Sequence, residues 1–326
     1  MITGSAPGKV VLWGEYAVLT GAPALVLAVD RYARCTIAPG GDAWRFSAAG
    51  HHAAEVSIGR QQLLGAAPPA ADAVWAIAWH VLQALDAPEL PAGGAVRFDT
   101  EAFSLPQVGK LGLGSSAALC SAACAAFARL LDRQAPLDCA LRAHASWQGG
   151  HGSGIDVAAA WLGGLLRFQR AADTGAVAAA PWPLPTGLLL RFVFSGRSAR
   201  TRDHLERLRR WQRAGGRSEL DALAEAAAAL FETARPLDAL DAYVAALERL
   251  DQAASLGIFS EPHRRLARLA RTAGVVYKPC GAGGGDIGAA FACDAAAADR
   301  FTRLAADHGF LPLALETAPH GIEVTG

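Results

Sequence analysis

The sequence predicts an α+β fold organised in two domains. Short apolar runs separated by turns occur near both ends of the chain, whereas most helix-like segments lie between them. A segregated order of this kind is typical of helices packed on antiparallel sheets. With 326 residues, of which 52% are apolar, the chain is long enough to bury two cores.

Strands followed by helices are expected in the first half. Residues 9–38 alternate apolar runs with turns, which predicts β-strands, and residues 72–86 have the apolar spacing of a helix. The run SSAALCSAACAAFARLL is apolar on nearly all sides, as a helix inside a domain is, and Ser115 or Ser116 is its expected N-cap. The other elements expected here are a helix that starts at Pro136, a short helix from Ile155 and a strand over 165–170.

The proline-rich stretch APWPLPTG at 180–187 marks the expected boundary between a domain over 1–184 and a domain over 185–326. The second half should open with a strand and continue through four helices between about 201 and 273. The elements expected after them are two strands around a glycine-rich loop, a helix near 295–308, and closing strands in LPLALE and GIEVT.

Composition narrows the class of function. Thirty basic and thirty acidic residues cancel, so no global field favours nucleic acid or an anionic membrane, and a small-molecule partner is expected. The six cysteines form no CxxC pair and the nine histidines no HExxH, which argues against zinc and a disulfide framework. No apolar stretch approaches a membrane span and no secretion signal is recognisable, so a cytoplasmic enzyme is expected.

Lysine is rare in this chain, which makes its positions informative. Of the thirty basic residues only Lys9, Lys110 and Lys278 are lysine, and the other twenty-seven are arginine. Because a compact ammonium and a planar guanidinium are not interchangeable, we interpret the remaining lysines as positions where the ammonium is required. All three lie in or beside glycine-rich stretches.

The stretch KLGLGSSAAL at 110–119 combines two glycines and two serines directly before the alanine-rich helix. Its GxGxxA spacing also fits a dinucleotide fingerprint, but the acidic residue that should close a second strand is missing. Two hypotheses remain open from the residues alone. Either the backbone N–H groups and the helix N-terminus bind an anion, or the glycines form a tight helix-packing turn.

Two further glycine loops occur in the chain. GAGGGDIG at 281–288 lies between two apolar runs, and four glycines within five residues exceed what a hairpin turn requires, which favours close approach of the backbone to a ligand. APGKVVLWGEY at 6–16 is the other, with Lys9 and Glu15 beside its glycines.

These three stretches, in this order, resemble the motifs of the GHMP kinase superfamily, which is named for galactokinase, homoserine kinase, mevalonate kinase and phosphomevalonate kinase. The motifs are PGKVVLWGEYAVLTGAPAL at 7–25, GLGSSAA at 112–118 and KPCGAGGGDIG at 278–288. The resemblance covers nearly the whole chain. It implies a two-domain α+β GHMP kinase fold, with an N-terminal domain like ribosomal S5 domain 2 and a ferredoxin-like C-terminal domain.

The resemblance also implies roles for individual residues. Lys9 and Asp156 would be catalytic residues beside the transferring phosphoryl group, and Ser116 would help to bind Mg²⁺ between the β and γ phosphates of ATP. The residues implied in nucleotide binding are Lys110, Gly112, Gly114, Ser115, Ser116 and Ala117. The residues implied in substrate binding are Glu15, Tyr16, Ser153, Arg197, Arg200, Gly281, Gly283 and Gly284.

Finer features resemble the branch of the superfamily that phosphorylates phosphomevalonate: AVDRYA at 28–33, AHASWQGGHGSGIDVAAAW at 143–161 and FSGRSART at 194–201. Mevalonate kinases place a magnesium-binding glutamate eleven residues before the aspartate, where this chain has Ala145. The implied reaction converts 5-phosphomevalonate, a small anionic substrate, to 5-diphosphomevalonate with ATP, in the mevalonate route of isoprenoid synthesis.

A phosphate acceptor makes different demands from an alcohol. Its second pKa is about 6, so it is largely deprotonated at neutral pH and needs no strong base. The difficulty is repulsion between two polyanions, which cationic side chains must offset. The candidates are Lys9, Lys110, Arg197 and Arg200.

Other interpretations stay open from the sequence. Mevalonate kinase, another small-alcohol kinase, and a noncatalytic binding protein of the same fold are the rivals, and the chain could be a monomer or a homodimer. His144 and Gln148 either face the site or pack in the core, and His151 is undecided. The chain departs from the family pattern at Arg197, where lysine is commoner, and at Cys280, where serine is commoner.

Overall fold

The computed structural model describes residues 1–50, 55–87, 89–106, 108–150, 152–198 and 201–326, and of residues 201 and 202 it describes the backbone alone. The strands are β1 (Ile2–Trp13), β2 (Ala24–Pro39), β3 (Trp44–Ala49), β4 (Val56–Ile58), β5 (Gly94–Asp99), β6 (Ser104–Leu105), β7 (Gly109–Lys110), β8 (Leu165–Arg170), β9 (Val177–Pro181), β10 (Leu189–Phe194), β11 (Val276–Pro279), β12 (Ile287–Ala292), β13 (Leu311–Leu313) and β14 (Glu323–Thr325).

The helices are α1 (Arg60–Leu64), α2 (Ala76–Ala84), α3 (Ser115–Leu130), α4 (Leu137–Trp147), α5 (Ile155–Leu162), α6 (Thr201–Arg213), α7 (Ser218–Ala229), α8 (Pro236–Ala254), α9 (Glu261–Ala273) and α10 (Ala295–Asp307). Two short 3₁₀ turns lie at Ala17–Thr20 and Glu101–Phe103. No helix within the described ranges combines the length and the apolarity needed to cross a membrane.

The larger sheet is organised around the long strand β2. β1 lies antiparallel along one side of β2, and on the other side the start of β2 pairs with β8 while its end pairs with β5. β3 is parallel to β5, β4 is antiparallel to β3, and β9 extends the sheet beyond β8. β14 completes it on the outer side of β1.

Helix α3 lies directly on β1 and β2 and is itself covered by α2, α4 and α5. This position explains its alanine-rich sequence, because bulky side chains on every side would hold the neighbours apart. The closest approach is at Gly4 of β1, where a Cβ atom would lie 2.2 Å from the carbonyl oxygen of Ala122. The N-terminus of α3 is thereby fixed beside β1, and this arrangement positions the site described below.

The smaller sheet has the order β11-β12-β10-β13 and is antiparallel throughout. Helices α9 and α10 pack against it, with Phe301 of α10 fully buried against Tyr277 of β11. Helix α8 also contacts β11 and α7. The smaller sheet therefore carries the glycine-rich loop between β11 and β12 on a rigid support.

The α+β prediction is confirmed, and so are the helix from Pro136, the short helix at 155–162 and the four helices between 201 and 273. The division into 1–184 and 185–326 stays a prediction. A strand in GIEVT was expected, but the division assigns it to the second domain, whereas Glu323 to Thr325 pair with Thr3 to Ser5 of β1. The end of the chain thus returns to the sheet formed by its beginning.

Candidate active site

A cavity with a volume of about 630 Å³ lies at the N-terminus of α3. This size suits a small-molecule site. Its lining comes from β1 and the turn after it, the loop before α3, α4 with the start of α5, the end of β8 with the turn into β9, and the loop after β11. Residues far apart in sequence are therefore brought to one place.

The loop before α3 has the geometry expected of an anion-binding loop. Gly112 and Gly114 have φ values of +74° and +78°, a left-handed conformation that a residue with a side chain adopts only with strain. Gly114 is the N-cap of α3 and no side chain caps the helix, so the expectation that Ser115 or Ser116 is the cap was wrong. Both serines are the first helical residues, and their hydroxyls are not used for capping.

Lys9 and Asp156 meet beside this loop. The Lys9 backbone N–H donates to the Leu113 carbonyl at 2.8 Å, which holds β1 against the loop. The Lys9 Nζ atom lies 3.5 Å from Asp156 Oδ1, with side-chain exposures of 9% and 35%. A Cβ on Gly114 would lie 3.0 Å from Lys9 Cε, so the glycine is what lets the lysine lie this close to the helix N-terminus. The two predicted catalytic residues are thus brought together at the N-terminus of α3.

Asp156 is placed by the turn that begins α5. Gly154 is the N-cap, with φ +82°, and the Ser153 hydroxyl accepts a hydrogen bond from the Ile155 N–H at 3.3 Å. The carboxylate therefore lies in the first turn of a helix, where the helix dipole stabilises negative charge. Ser153 also lines the cavity, as expected of a substrate-binding residue.

The turn after β1 is strained at Tyr16. The Ala17 N–H donates to the Glu15 carbonyl at 2.7 Å, and Tyr16 between them has φ +62° and ψ −48°. This is a γ-turn of the rare positive-φ type, and such strain persists only where the surroundings enforce it. Here the Tyr16 hydroxyl donates to the Ala282 carbonyl at 2.5 Å, which ties the turn to the loop after β11. Burial, with the nearby Asp251 and Glu15 carboxylates, raises the pKa of Tyr16.

Glu15 is buried and its carboxylate is fully engaged within the protein. It pairs with Lys278, which has no exposed side-chain surface, and it accepts from the Tyr243 hydroxyl at 2.7 Å and from the Gly281 N–H at 3.3 Å. Glu15 also lines the cavity, so its assignment to substrate binding stays a prediction. Its oxygens are occupied in joining the first motif to α8 and to the third motif.

The third glycine loop is used mainly for packing. A Cβ on Gly283 would lie 2.5 Å from Ile258 Cγ2, and one on Gly284 would lie 2.7 Å from the His204 ring. Neither glycine lines the cavity, which corrects their assignment to substrate binding, whereas Gly281 does line it. The glycines approach protein and not ligand at these two positions.

His263 holds the glycine loop in place through hydrogen bonds. Its Nε2–H donates to the Gly285 carbonyl at 2.9 Å, and its Nδ1 accepts from the Tyr277 hydroxyl at 2.8 Å. Burial lowers the pKa of His263 to about 4, so the ring is neutral, as these two bonds require. Cys280 is buried as well and its pKa is raised to about 11, so the thiol is protonated and contributes no charge.

Several predicted residues do not line the cavity. Lys110 and Arg197 are exposed and lie outside its lining, and Ala117 is buried in the core. Arg200 and His151 lie outside the described residues. The Ser198 hydroxyl donates to the Lys110 carbonyl at 3.2 Å, so the Ser198 side chain contacts the backbone just before the glycine loop.

Three charged residues that sequence reasoning did not assign, Asp138, Arg142 and Arg170, line the cavity as well. Arg142 pairs with Asp138 at 3.0 Å, whereas Arg170 bonds only the Gly152 carbonyl, at 2.7 Å. Among the lining residues that the structure describes, Arg170 is the one cationic side chain without a carboxylate partner. Nothing in the sequence distinguishes it, because it is one of twenty-seven arginines and ends an ordinary strand.

The substitution Gly112→Ala is expected to raise the KM for ATP by about tenfold or more. A Cβ at this position would lie 2.4 Å from the Asp286 carboxylate, and the left-handed φ adds about 1–2 kcal/mol of backbone strain. Gly109→Ala is the matched control, since it has a similar φ of +77° but open space around the added carbon. Equal effects of the two substitutions on the KM would show that the contact with Asp286 does not fix the loop.

The comparisons with known proteins agree with this geometry. The family model for the GHMP kinases N terminal domain matches residues 73–164. A phosphomevalonate kinase from Streptomyces sp. (strain CL190) is 29% identical, and the match covers 97% of each chain. Similarity in sequence therefore extends over nearly the whole length.

Solved structures share the fold. The Lin0012 protein from Listeria innocua superimposes with a TM-score of 0.84 at 20% identity, covering 99% of both chains. Streptococcus pneumoniae phosphomevalonate kinase in complex with phosphomevalonate and AMPPNP gives a TM-score of 0.77 at 20% identity, covering 97% of this chain and all of the other. Residues 73–164 thus match the GHMP kinases N terminal domain, and the chain is similar in sequence over nearly its whole length to a phosphomevalonate kinase and shares its fold with a solved one.

Proposed function

We propose that the chain transfers the γ-phosphoryl group of ATP to 5-phosphomevalonate, which gives 5-diphosphomevalonate and ADP. The observation that carries the proposal is a single cavity in which an anion-binding helix terminus, the Lys9–Asp156 pair and the cationic Arg170 come together. The similarity to phosphomevalonate kinases over nearly the full length supports the same acceptor and a place in the mevalonate pathway.

The nucleotide phosphates are assigned to the loop of Gly112 to Ser116. Backbone N–H groups at the start of α3 point toward the cavity end of the helix, and the helix dipole favours negative charge there. Lys9 lies against the same loop and adds the charge that a transferring phosphoryl group requires. Transfer of this kind depends mainly on positioning and charge neutralisation.

The residues present fit Mg²⁺ as a metal held with the nucleotide. Within the described ranges no group of three or more His, Cys, Asp or Glu could bind a metal without help, so phosphate oxygens and water would supply most ligands. Mg²⁺ characteristically binds in this way, with one or two protein oxygens. The Ser116 hydroxyl lines the cavity, and so does the Asp156 carboxylate. When bound, the ion would neutralise charge on the β and γ phosphates.

The residues that line the cavity favour a phosphate over an alcohol as the acceptor. Ala145 lines the cavity at the position eleven residues before Asp156, so no second carboxylate stands there to bind a metal or assist a base. Asp156 is paired with Lys9. This arrangement suits an acceptor that is already deprotonated, as a phosphate is.

Arg170→Gln is expected to raise the KM for the acceptor by about 10- to 100-fold, because a charge-assisted hydrogen bond contributes about 1.5–3 kcal/mol. The KM for ATP should change little. The measurement is steady-state kinetics with each substrate varied. Arg142→Gln is the matched control, because Arg142 lines the same cavity but is already paired with Asp138. A larger effect on ATP than on the acceptor would remove Arg170 from acceptor binding.

A coupled assay for ADP formation tests the proposed function. Purified protein with ATP and Mg²⁺ is supplied in turn with 5-phosphomevalonate, mevalonate, homoserine and a set of sugars. We expect turnover on 5-phosphomevalonate at least 100-fold above the others in kcat/KM. Preference for mevalonate would make the chain an alcohol kinase with Asp156 as its base, and absence of turnover on every acceptor would leave a nucleotide-binding protein.

A further inference from the structure

His144 stands out among the residues that the proposed mechanism does not use. It lies on α4, is 7% exposed and lines the cavity between Ser116 and Asp156. Its Nε2 atom is 3.2 Å from the Ser116 hydroxyl oxygen. Burial lowers the pKa of His144, and the Asp156 carboxylate opposes that shift in part.

We propose that His144 is a positioning residue for Ser116: its Nε2 accepts a hydrogen bond from the serine hydroxyl and so leaves the lone pairs of the hydroxyl oxygen free to bind the metal ion that accompanies ATP. A hydroxyl has one proton and two lone pairs. If the hydroxyl proton of Ser116 pointed into the site, it would face the metal cation. When the hydroxyl instead donates its hydrogen bond to His144, both lone pairs of its oxygen face the cavity.

The reverse arrangement is less compatible with a bound cation. If Nε2 carried the ring proton and donated it to Ser116, one oxygen lone pair would be consumed and the hydroxyl proton would turn toward the metal. The helix geometry holds the two partners in reach, since α4 packs against α3 and the His144 ring contacts the Trp147 ring at a centroid distance of 6.3 Å. His144 thus lies one residue before Ala145 and beside the serine that would hold the metal ion.

This inference rests on the proposed ATP and Mg²⁺ site but not on the identity of the acceptor. Its test is therefore binding and not turnover: the dissociation constant of AMPPNP is measured by calorimetry with saturating Mg²⁺ and again with EDTA. The ratio of the two constants reports the contribution of the metal. Residues that orient a metal ligand typically change metal affinity by about 10- to 100-fold when replaced.

We expect His144→Ala to remove about 10- to 100-fold of the Mg²⁺-dependent affinity and to leave binding in EDTA unchanged. His144→Gln should recover most of the lost Mg²⁺-dependent affinity, since the glutamine side-chain carbonyl can accept a hydrogen bond from the serine hydroxyl. In a Ser116→Ala background, His144→Ala should cause no further loss, because the two residues act as one unit.

His80→Ala is the matched control. His80 is also a buried histidine bonded to a serine hydroxyl, at 3.0 Å from Ser146, but it does not line the cavity. It should leave the Mg²⁺ dependence unchanged. If His144→Ala does not fold, His144→Leu fills the same space and gives the same comparison.

Three results would overturn the inference: equal losses with Mg²⁺ and with EDTA, additive losses in the double variant, or no Mg²⁺-dependent affinity in the unaltered protein. These results are distinct from failure of the acceptor assignment. Metal-dependent AMPPNP binding that follows the expected pattern, in a protein inactive on 5-phosphomevalonate, would support His144 and reject only the acceptor.

Discussion

Lys9→Met is expected to lower kcat by about 100- to 1000-fold, a loss typical for one preorganised charge at a transition state. Lys9 lies against the anion-binding loop and is the lysine closest to the N-terminus of α3. When the Lys9 ammonium is removed, the two polyanionic substrates lose the main nearby positive charge that offsets their repulsion. The KM for ATP should rise less than kcat falls, because the charge matters most during transfer.

Asp156→Asn separates the two kinds of acceptor, measured in the same steady-state assay. With a phosphate acceptor no proton has to be removed, so we expect kcat to fall by about tenfold or less, through loss of the partner that orients Lys9. An alcohol kinase should lose about 100- to 10,000-fold, the usual contribution of a general base. Unchanged kcat in Lys9→Met would contradict the assignment of the site, and an Asp156→Asn loss as large as that of a general base would contradict the acceptor.

The second large effect concerns stability. Glu15→Gln or Lys278→Met alone should lower the free energy of unfolding by about 3–5 kcal/mol, because each leaves an uncompensated charge in the interior. The pair is almost wholly buried, with side-chain exposures of 3% and 0%, and Tyr243 adds a third partner. Urea unfolding followed by circular dichroism gives the comparison.

The double variant Glu15→Gln with Lys278→Met should be less destabilised than the sum of the single ones, since it buries no unpaired charge. Asp221→Asn is a surface control: Asp221 pairs with Arg217, but their side chains are 49% and 83% exposed. Such a pair contributes at most about 1 kcal/mol. Additive effects of Glu15 and Lys278 would show that the two residues do not act as a pair.

The fold could be predicted from the sequence to the level of most elements. The helical spacing of apolar residues predicted the helix from Pro136 and the helices between 201 and 273. This spacing is visible in the local sequence because each helix buries one face. Periodicity could not locate β14 in the first sheet. The pairing of Thr325 with Thr3 depends on how the whole chain is folded, and no local pattern records it.

The site was predicted best where backbone conformation is dictated by residue type. Gly112, Gly114 and Lys9 lie where the motifs implied, since only glycine allows both the left-handed turn and the close approach of the lysine. The ion pair of Glu15 with Lys278 was not predicted, because sequence neighbours do not show which residues meet across the fold. For the same reason the sequence did not indicate that Arg170 lines the cavity.

Among the lysines, the interpretation based on their rarity holds for two different reasons. Lys9 lies at the site, whereas Lys278 is a buried partner of a carboxylate. Both of these side chains are nearly or fully buried in ion pairs, whereas the third lysine, Lys110, is exposed. Scarcity of a residue type thus indicated constraint, but it did not distinguish catalysis from stability.

The most direct test of the central claim is the chemical identity of the product. The protein is incubated with ATP, Mg²⁺ and 5-phosphomevalonate, and the mixture is followed by phosphorus NMR. The account requires the phosphomonoester signal of the substrate to disappear while two coupled signals of a diphosphate ester and those of ADP appear. An unchanged phosphomonoester signal, together with formation of a new phosphomonoester when mevalonate is supplied instead, would contradict it.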